Sequence, residues 1–222
     1  PLLYKPDRNR LETKALELAC EESGLSAARL LARCGALPSS HDYHFDRFLF
    51  EFFPQGTGFA DYAAPPVPED LPRADVQAFS IDDAATTEID DAFSVTSLDG
   101  GGWRIGIHIA APGLGIRPES ALGEIARNRL STVYMPGRKL TMLPDAAMAA
   151  FTLKEGAAPP ALSLYVETTP AGVPVRESTR IERVPIAANL RLDAVSDAFA
   201  NALPSPSDPP WAQEMRMLWK LV

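Results

Sequence analysis

From Leu11 to Phe53 the apolar positions recur at helical spacing. Leu11, Ala15, Leu18 and Ala19 share one face, and Gly24 stops the run. Ser26 then stands as an N-cap for a second helix carrying Leu30, Leu31 and Cys34, which Gly35 ends. Phe45, Phe48, Leu49, Phe52 and Phe53 predict a third amphipathic helix over His44–Phe53. Two short helices joined through Ser23-Gly24-Leu25 are compatible with a helix-turn-helix whose second helix carries Arg29 and Arg33. A plain packing unit is the commoner use of such a pair. Pro65, Pro66, Pro68 and Pro72 follow, with Gly56 and Gly58 ahead of them. Proline removes amide donors and favours open backbone, so residues 57–72 are read as an extended connector. It separates a helical domain over 1–56 from a second domain over 73–222.

From Val76 the period changes to two. Ala78–Ile81, Ala92–Thr96 and Trp103–Ala110 predict strands, and Asp99-Gly100-Gly101-Gly102 predicts a hairpin turn before the last of them. Glu119–Arg129 reads as a helix. Leu162–Thr169 and Val173–Val184 read as a second hairpin around Pro170-Ala171-Gly172, and Ala187–Ala200 as a helix. This order is that of an α+β fold with a mixed or antiparallel sheet, not a doubly wound one. Trp211, Met215, Leu218, Trp219 and Val222 fall on one face of a final helix that ends without a C-cap. Such a face needs a partner, and a chain that stops inside a larger domain is the expected reason.

Composition narrows the function classes. The chain has 222 residues, 46% hydrophobic and 23% charged, within the ordinary range for a folded globular protein. Asp and Glu number 29 against 21 Lys and Arg, so the net charge of −8 excludes a basic nucleic-acid wrapper. Two cysteines and three histidines cannot build a disulfide framework or a cysteine-rich zinc site. Cys20 and Cys34 are read as small helix-face hydrophobes, His41 and His44 as structural or surface residues, and His108 as a packed, hydrogen-bonded strand residue. No apolar run reaches about 20 residues and Pro1–Arg10 has no leader pattern, which predicts a cytoplasmic, reduced protein without a membrane partner.

The densest chemistry lies between Phe79 and Phe93, where Asp82, Asp83, Glu88, Asp90 and Asp91 are bracketed by Phe79, Ile81, Ile89 and Phe93. Carboxylates crowded at the mouth of a sheet repel one another in a low dielectric, and a divalent cation relieves this. Oxygen-only ligands point to Mg²⁺ or Mn²⁺, or Ca²⁺, and not to zinc. An EF-hand is excluded: counted from Asp82, the glycine position holds Thr87 and the bidentate position Phe93. A solvated acidic loop between two strands is the bland alternative.

Four blocks in order carry a resemblance. Asp82, Glu88, Asp90, Asp91 and Ala92 resemble the metal-binding signature of the RNB (ribonuclease II/R) exoribonucleases. Ile107-His108-Ile109-Ala110, Ser131-Thr132-Val133-Tyr134-Met135-Pro136 and Met142-Leu143-Pro144 are similar to three further family segments. The likeness covers roughly Val76 to Glu167. It implies processive 3′-to-5′ hydrolysis of single-stranded RNA to nucleoside 5′-monophosphates by a monomeric, Mg²⁺- or Mn²⁺-dependent enzyme. It further implies that Asp82, Glu88, Asp90 and Asp91 meet at one point to hold metal, with Asp90 and Asp91 catalytic. Tyr134 matches the aromatic that holds the terminal nucleotide. Arg127, Arg129, Arg138 and Lys139 flank that tyrosine and are candidate RNA contacts.

The chain also departs from the family pattern. Glu88 stands for a usual Asp, which predicts a shifted metal geometry and slower turnover. Ala111 stands where an Asp is frequent, and Phe151-Thr152-Leu153 replaces a Cys-Ser-Leu block. The family's arginine-bearing catalytic segment and RNA-binding S1 barrel are not found, and the helical N-terminus does not resemble cold-shock barrels. The expectation is therefore a chain that is incomplete for activity by itself. Two other readings remain: an impaired RNB-fold module that binds RNA or a protein, and an unrelated hydrolase with a metal-free carboxylate pair.

Overall fold

A computed structural model describes residues 3–60, 62–199 and 211–219. The chain divides into two compact units, residues 1–60 and 61–222. In the first, α1 (Leu11–Ser23), α2 (Ala27–Arg33) and α3 (Ser40–Phe52) follow one another. Gly24 ends α1 at φ 66°, where its N–H reaches the Cys20 carbonyl, a conformation glycine adopts at no steric cost. Ser26 occupies the N-cap of α2, but its side chain makes no capping bond. The third helix starts ahead of the predicted His44, because Ser39 Oγ accepts from Asp42 N and donates to the Asp42 carboxylate. Arg29, Arg33, His41 and His44 are exposed. So is Cys34, which lies past the end of α2 and is not the packed residue expected; Cys20 is half-buried.

The second unit is built on strands β1 (Ala78–Asp82), β2 (Asp91–Ser97), β3 (Trp103–Ala110), β6 (Pro160–Thr168), β7 (Pro174–Arg183) and β8 (Ile186–Arg191). They form one sheet in the order β7-β6-β3-β2-β1-β8, antiparallel throughout except for the parallel β1–β8 pair. A separate hairpin joins β4 (Val133–Met135) to β5 (Arg138–Leu140), and α4 (Ala121–Arg129) and α5 (Asp145–Phe151) flank it in sequence. After the sheet come α6 (Leu192–Phe199) and α7 (Ala212–Trp219).

The helix predicted over Ala187–Ala200 is corrected. Residues 186–191 are β8, paired Phe79 to Ala188, Ser80 to Asn189 and Ile81 to Leu190, and the helix begins only at Leu192. Ala200 lies outside the described residues. Alanines favour a helix locally, but β1 would otherwise expose a row of unpaired amides, and sheet pairing overrides that preference. On α7, Met215 is buried and packs with Phe79, Leu190 and Val195, joined by Trp211 and Leu218. Trp219, one turn beyond Met215, is 71% exposed, and Val222 lies outside the described residues. No helix among the described residues is long and apolar enough to cross a membrane.

A polar seam runs through the sheet. His108 is fully buried, with Nε2 2.8 Å from Ser94 Oγ and Nδ1 2.8 Å from Ser163 Oγ, on the adjacent strands β2 and β6. Burial pulls its pKa down to about 4, so the ring is neutral near pH 7. Gly106 makes room for this arrangement, since a Cβ there would lie 2.4 Å from Ser94 Oγ and 2.6 Å from His108 Nε2. Beside it the Tyr165 hydroxyl donates to buried Glu182 (2.5 Å), and burial raises the tyrosine's pKa. The histidine is structural, as its place in an apolar strand predicts.

Candidate functional site

Asp82 ends β1 and Asp91 opens β2, so the antiparallel pairing of Phe79 with Phe93 turns residues 83–90 back at one end of the sheet. Ile89 roots this segment. It is 4% exposed and packs in a cluster with Ala78, Ala92, Leu153 and Ile186. Its N–H donates to Thr152 Oγ1 (2.8 Å), and its carbonyl accepts from Leu153 N (2.8 Å) and Thr152 Oγ1 (3.2 Å). Arg191 Nη1 fastens the start of the loop by donating to the carbonyls of Asp83 (2.9 Å) and Thr86 (3.1 Å). Neither Thr152 nor Arg191 stands out in the sequence. The one pointer is that Thr152 keeps the hydroxyl of the serine it replaces in the resembled family segment.

Glu88 and Asp90, on either side of Ile89, line a cleft of about 560 Å³ together with Asp82, Asp83, Tyr134 and Thr152. Asp91, the first residue of β2, is not among the residues that line this cleft, but it lies close enough to Asp90 and Asp82 to feel their charges. Its pKa is raised above the usual carboxylate range, first by desolvation and then by the charges of Asp90 and Asp82. Asp82 Oδ2 accepts from Ser80 Oγ at 2.6 Å. Glu88 is held by Lys139, whose Nζ lies 2.5 Å from Oε2.

Of the four carboxylates expected to meet, Asp82, Glu88 and Asp90 line this one cleft. Among the described residues, no three Asp, Glu, His or Cys side chains form a ready metal cage. The donor chemistry nevertheless fits a hard divalent cation. Asp82, Asp90 and Asp91 supply only oxygen, and a cation would offset both the desolvation of Asp91 and the charges of Asp90 and Asp82 beside it. Glu88 already has a cation, the Lys139 ammonium. Lys139→Ala is therefore expected to tighten Mn²⁺ binding about two- to fivefold, the order of one partly exposed ion pair, measurable by calorimetric titration.

Tyr134 lies on β4 directly across from Lys139 on β5, and the Lys139–Glu88 pair ties this hairpin to the acidic loop. The tyrosine ring is 75% exposed in the cleft wall. The basic residues around it have partners within the chain. Arg127 Nη2 donates to Pro118 O (2.6 Å) and Arg129 Nη1 to Thr141 O (2.8 Å), so both brace the backbone around α4. Arg138 is exposed at the β4–β5 turn. Leu143, in the Met-Leu-Pro segment, is buried with Leu122 and Ala147.

The RNB domain profile matches residues 71–221. DIS3-like exonuclease 2 of Arabidopsis thaliana is 42% identical over 89 residues, covering 36% of this chain and 8% of that protein; an inactive exonuclease DIS3L2 of the same plant matches equally. Exoribonuclease 2 of Vibrio cholerae is 37% identical over 134 residues, covering 58% of this chain and 20% of the relative. Among solved structures, Mycoplasma genitalium RNase R in complex with ribose-methylated single-stranded RNA has a TM-score of 0.61 at 15% identity, over 69% of this chain and 24% of that one. Yeast Ssd1, a pseudonuclease, has a TM-score of 0.67 at 16% identity, over 81% and 24%. The chain thus spans 8–20% of the length of these curated relatives.

Proposed function

The chain belongs to the RNB domain family, and from that membership we propose that it is part of a metal-dependent 3′-to-5′ exoribonuclease releasing nucleoside 5′-monophosphates from single-stranded RNA. The observation that supports this most is the shared cleft of Asp82, Glu88, Asp90 and the exposed ring of Tyr134. Asp82, Asp90 and Asp91 would hold a divalent ion, which would supply water activation and stabilisation of the leaving 3′ oxygen. Asp90, open to the cleft, orients the attacking water, and Asp91 completes the catalytic pair. Glu88, paired here with Lys139, would be the fourth carboxylate of that ligand set. Tyr134 stacks on the terminal base, which needs no sequence reading because every base has a π-face. Arg127, Arg129, Arg138 and Lys139 lend positive charge near an otherwise acidic cleft, which suits a phosphate backbone.

Stacking of this kind is worth about 1–3 kcal/mol per base. Tyr134→Ala in the full-length protein is expected to loosen the 3′ end and lengthen the smallest product from a 5′-labelled oligoribonucleotide. An unchanged product ladder would count against the stacking role.

A second reading, a catalytically impaired RNB-fold module that binds or regulates RNA, is favoured by the Glu88–Lys139 pair, which spends one carboxylate on an ammonium. Single-turnover cleavage of labelled RNA by the full-length protein with Mg²⁺ separates the two. Cleavage supports the nuclease; tight RNA binding without cleavage supports the impaired module.

A further inference from the structure

We propose that Asn189 is a positioning residue for the carboxylate cluster, tying the strand that carries Asp82 to the segment that clamps Ile89. That role rests on the reading of Asp82, Asp90 and Asp91 as metal ligands. Asn189 Nδ2 donates to Ser80 Oγ (2.9 Å) and to Leu153 O (2.9 Å), while its Oδ1 accepts from Glu155 N (2.8 Å). Its backbone N–H donates to Glu155 Oε2 (3.0 Å). The amide orientation follows from these partners: a backbone carbonyl can only accept and a backbone N–H can only donate.

Both ends of the acidic loop depend on this one side chain. Ser80 is fully buried; because its oxygen accepts from Asn189, its single proton is left for Asp82 Oδ2 at 2.6 Å. On the other side, Leu153, whose carbonyl Asn189 holds, donates its own N–H to the Ile89 carbonyl between Glu88 and Asp90. Asp82, at the end of β1, and Asp90, at the far end of the loop, reach the same cleft, and the Asn189 amide bridges the two supports. Partners that aim the ligands of a metal site typically contribute about 10- to 100-fold to its affinity.

The test uses Mn²⁺ alone, titrated calorimetrically into the full-length protein. Asn189→Asp is isosteric, but it removes both Nδ2 donors and offers the Ser80 hydroxyl a second carboxylate. By charge alone the added carboxylate would tighten Mn²⁺ binding. Lost positioning weakens it, so the two effects have opposite sign. We expect Asn189→Asp to bind Mn²⁺ about tenfold more weakly than wild type. Ser80→Ala should weaken it less, and the double variant should be no weaker than Asn189→Asp, since the route to Asp82 passes through Ser80. Equal or tighter binding by Asn189→Asp overturns the role. If that variant fails to fold, unchanged affinity in Ser80→Ala overturns it instead. A wild-type protein that binds no Mn²⁺ defeats the metal reading itself, and this role with it.

Discussion

Asp90→Asn is expected to slow RNA hydrolysis by the full-length protein about a thousandfold or more, with RNA affinity within a few fold of wild type. The side chain sits in the cleft wall beside Asp82 and Glu88, and its neighbour Ile89 is pinned by three hydrogen bonds, so the substitution changes chemistry without moving the loop. Asparagine keeps the shape and one oxygen but loses the charge that holds a cation and orients water. RNA binding rests on phosphate contacts and base stacking, which this change leaves alone. The check is single-turnover cleavage of 5′-labelled RNA with Mg²⁺ alongside filter binding. A wild-type rate in Asp90→Asn would remove Asp90 from the chemistry.

The second large effect is on stability in acid. His108 has a folded-state pKa of about 4 against an ordinary 6.5, because burial excludes its charged form. Between those values the unfolded chain binds a proton that the folded chain does not. Stability is therefore complete above about pH 6.5 and falls as pH drops toward 4, by about 3 kcal/mol over the window. Urea unfolding at pH 7 and pH 4.5, with His108→Gln as reference, measures the difference. The wild type should lose stability in acid more steeply than the variant; parallel losses would contradict the buried neutral ring. The loss originates in the buried seam between Ser94 and Ser163, where desolvation penalises the charged ring.

Much of this was legible in the residue pattern, and the exceptions have a common cause. Strand β3 runs over the predicted Trp103–Ala110 because Ile105, Ile107 and Ile109 alternate with residues of the other face. The acidic loop stood out because five acids are bracketed by core residues, and Ile89 does root it. What spacing could not show are pairings between distant positions. Lys139 meets Glu88 across 51 residues, Thr152 meets Ile89 across 63 and Asn189 meets Ser80 across 109. Each residue looks like an ordinary polar position until the sheet brings its partner alongside. Strand β8 was hidden for a related reason, since its alanines favour a helix and only the edge of β1 makes them a strand. Of the adjacent pair Asp90 and Asp91, only Asp90 lines the cleft, and Asp91 meets it through the charges of Asp90 and Asp82.

Diffraction from crystals soaked in Mn²⁺, recorded at the manganese absorption edge, is expected to show an anomalous peak about 2 Å from carboxylate oxygens of Asp82, Asp90 and Asp91, absent in Asp90→Asn crystals. Full occupancy at some other place, with these three carboxylates left to the protein's own donors, would contradict it.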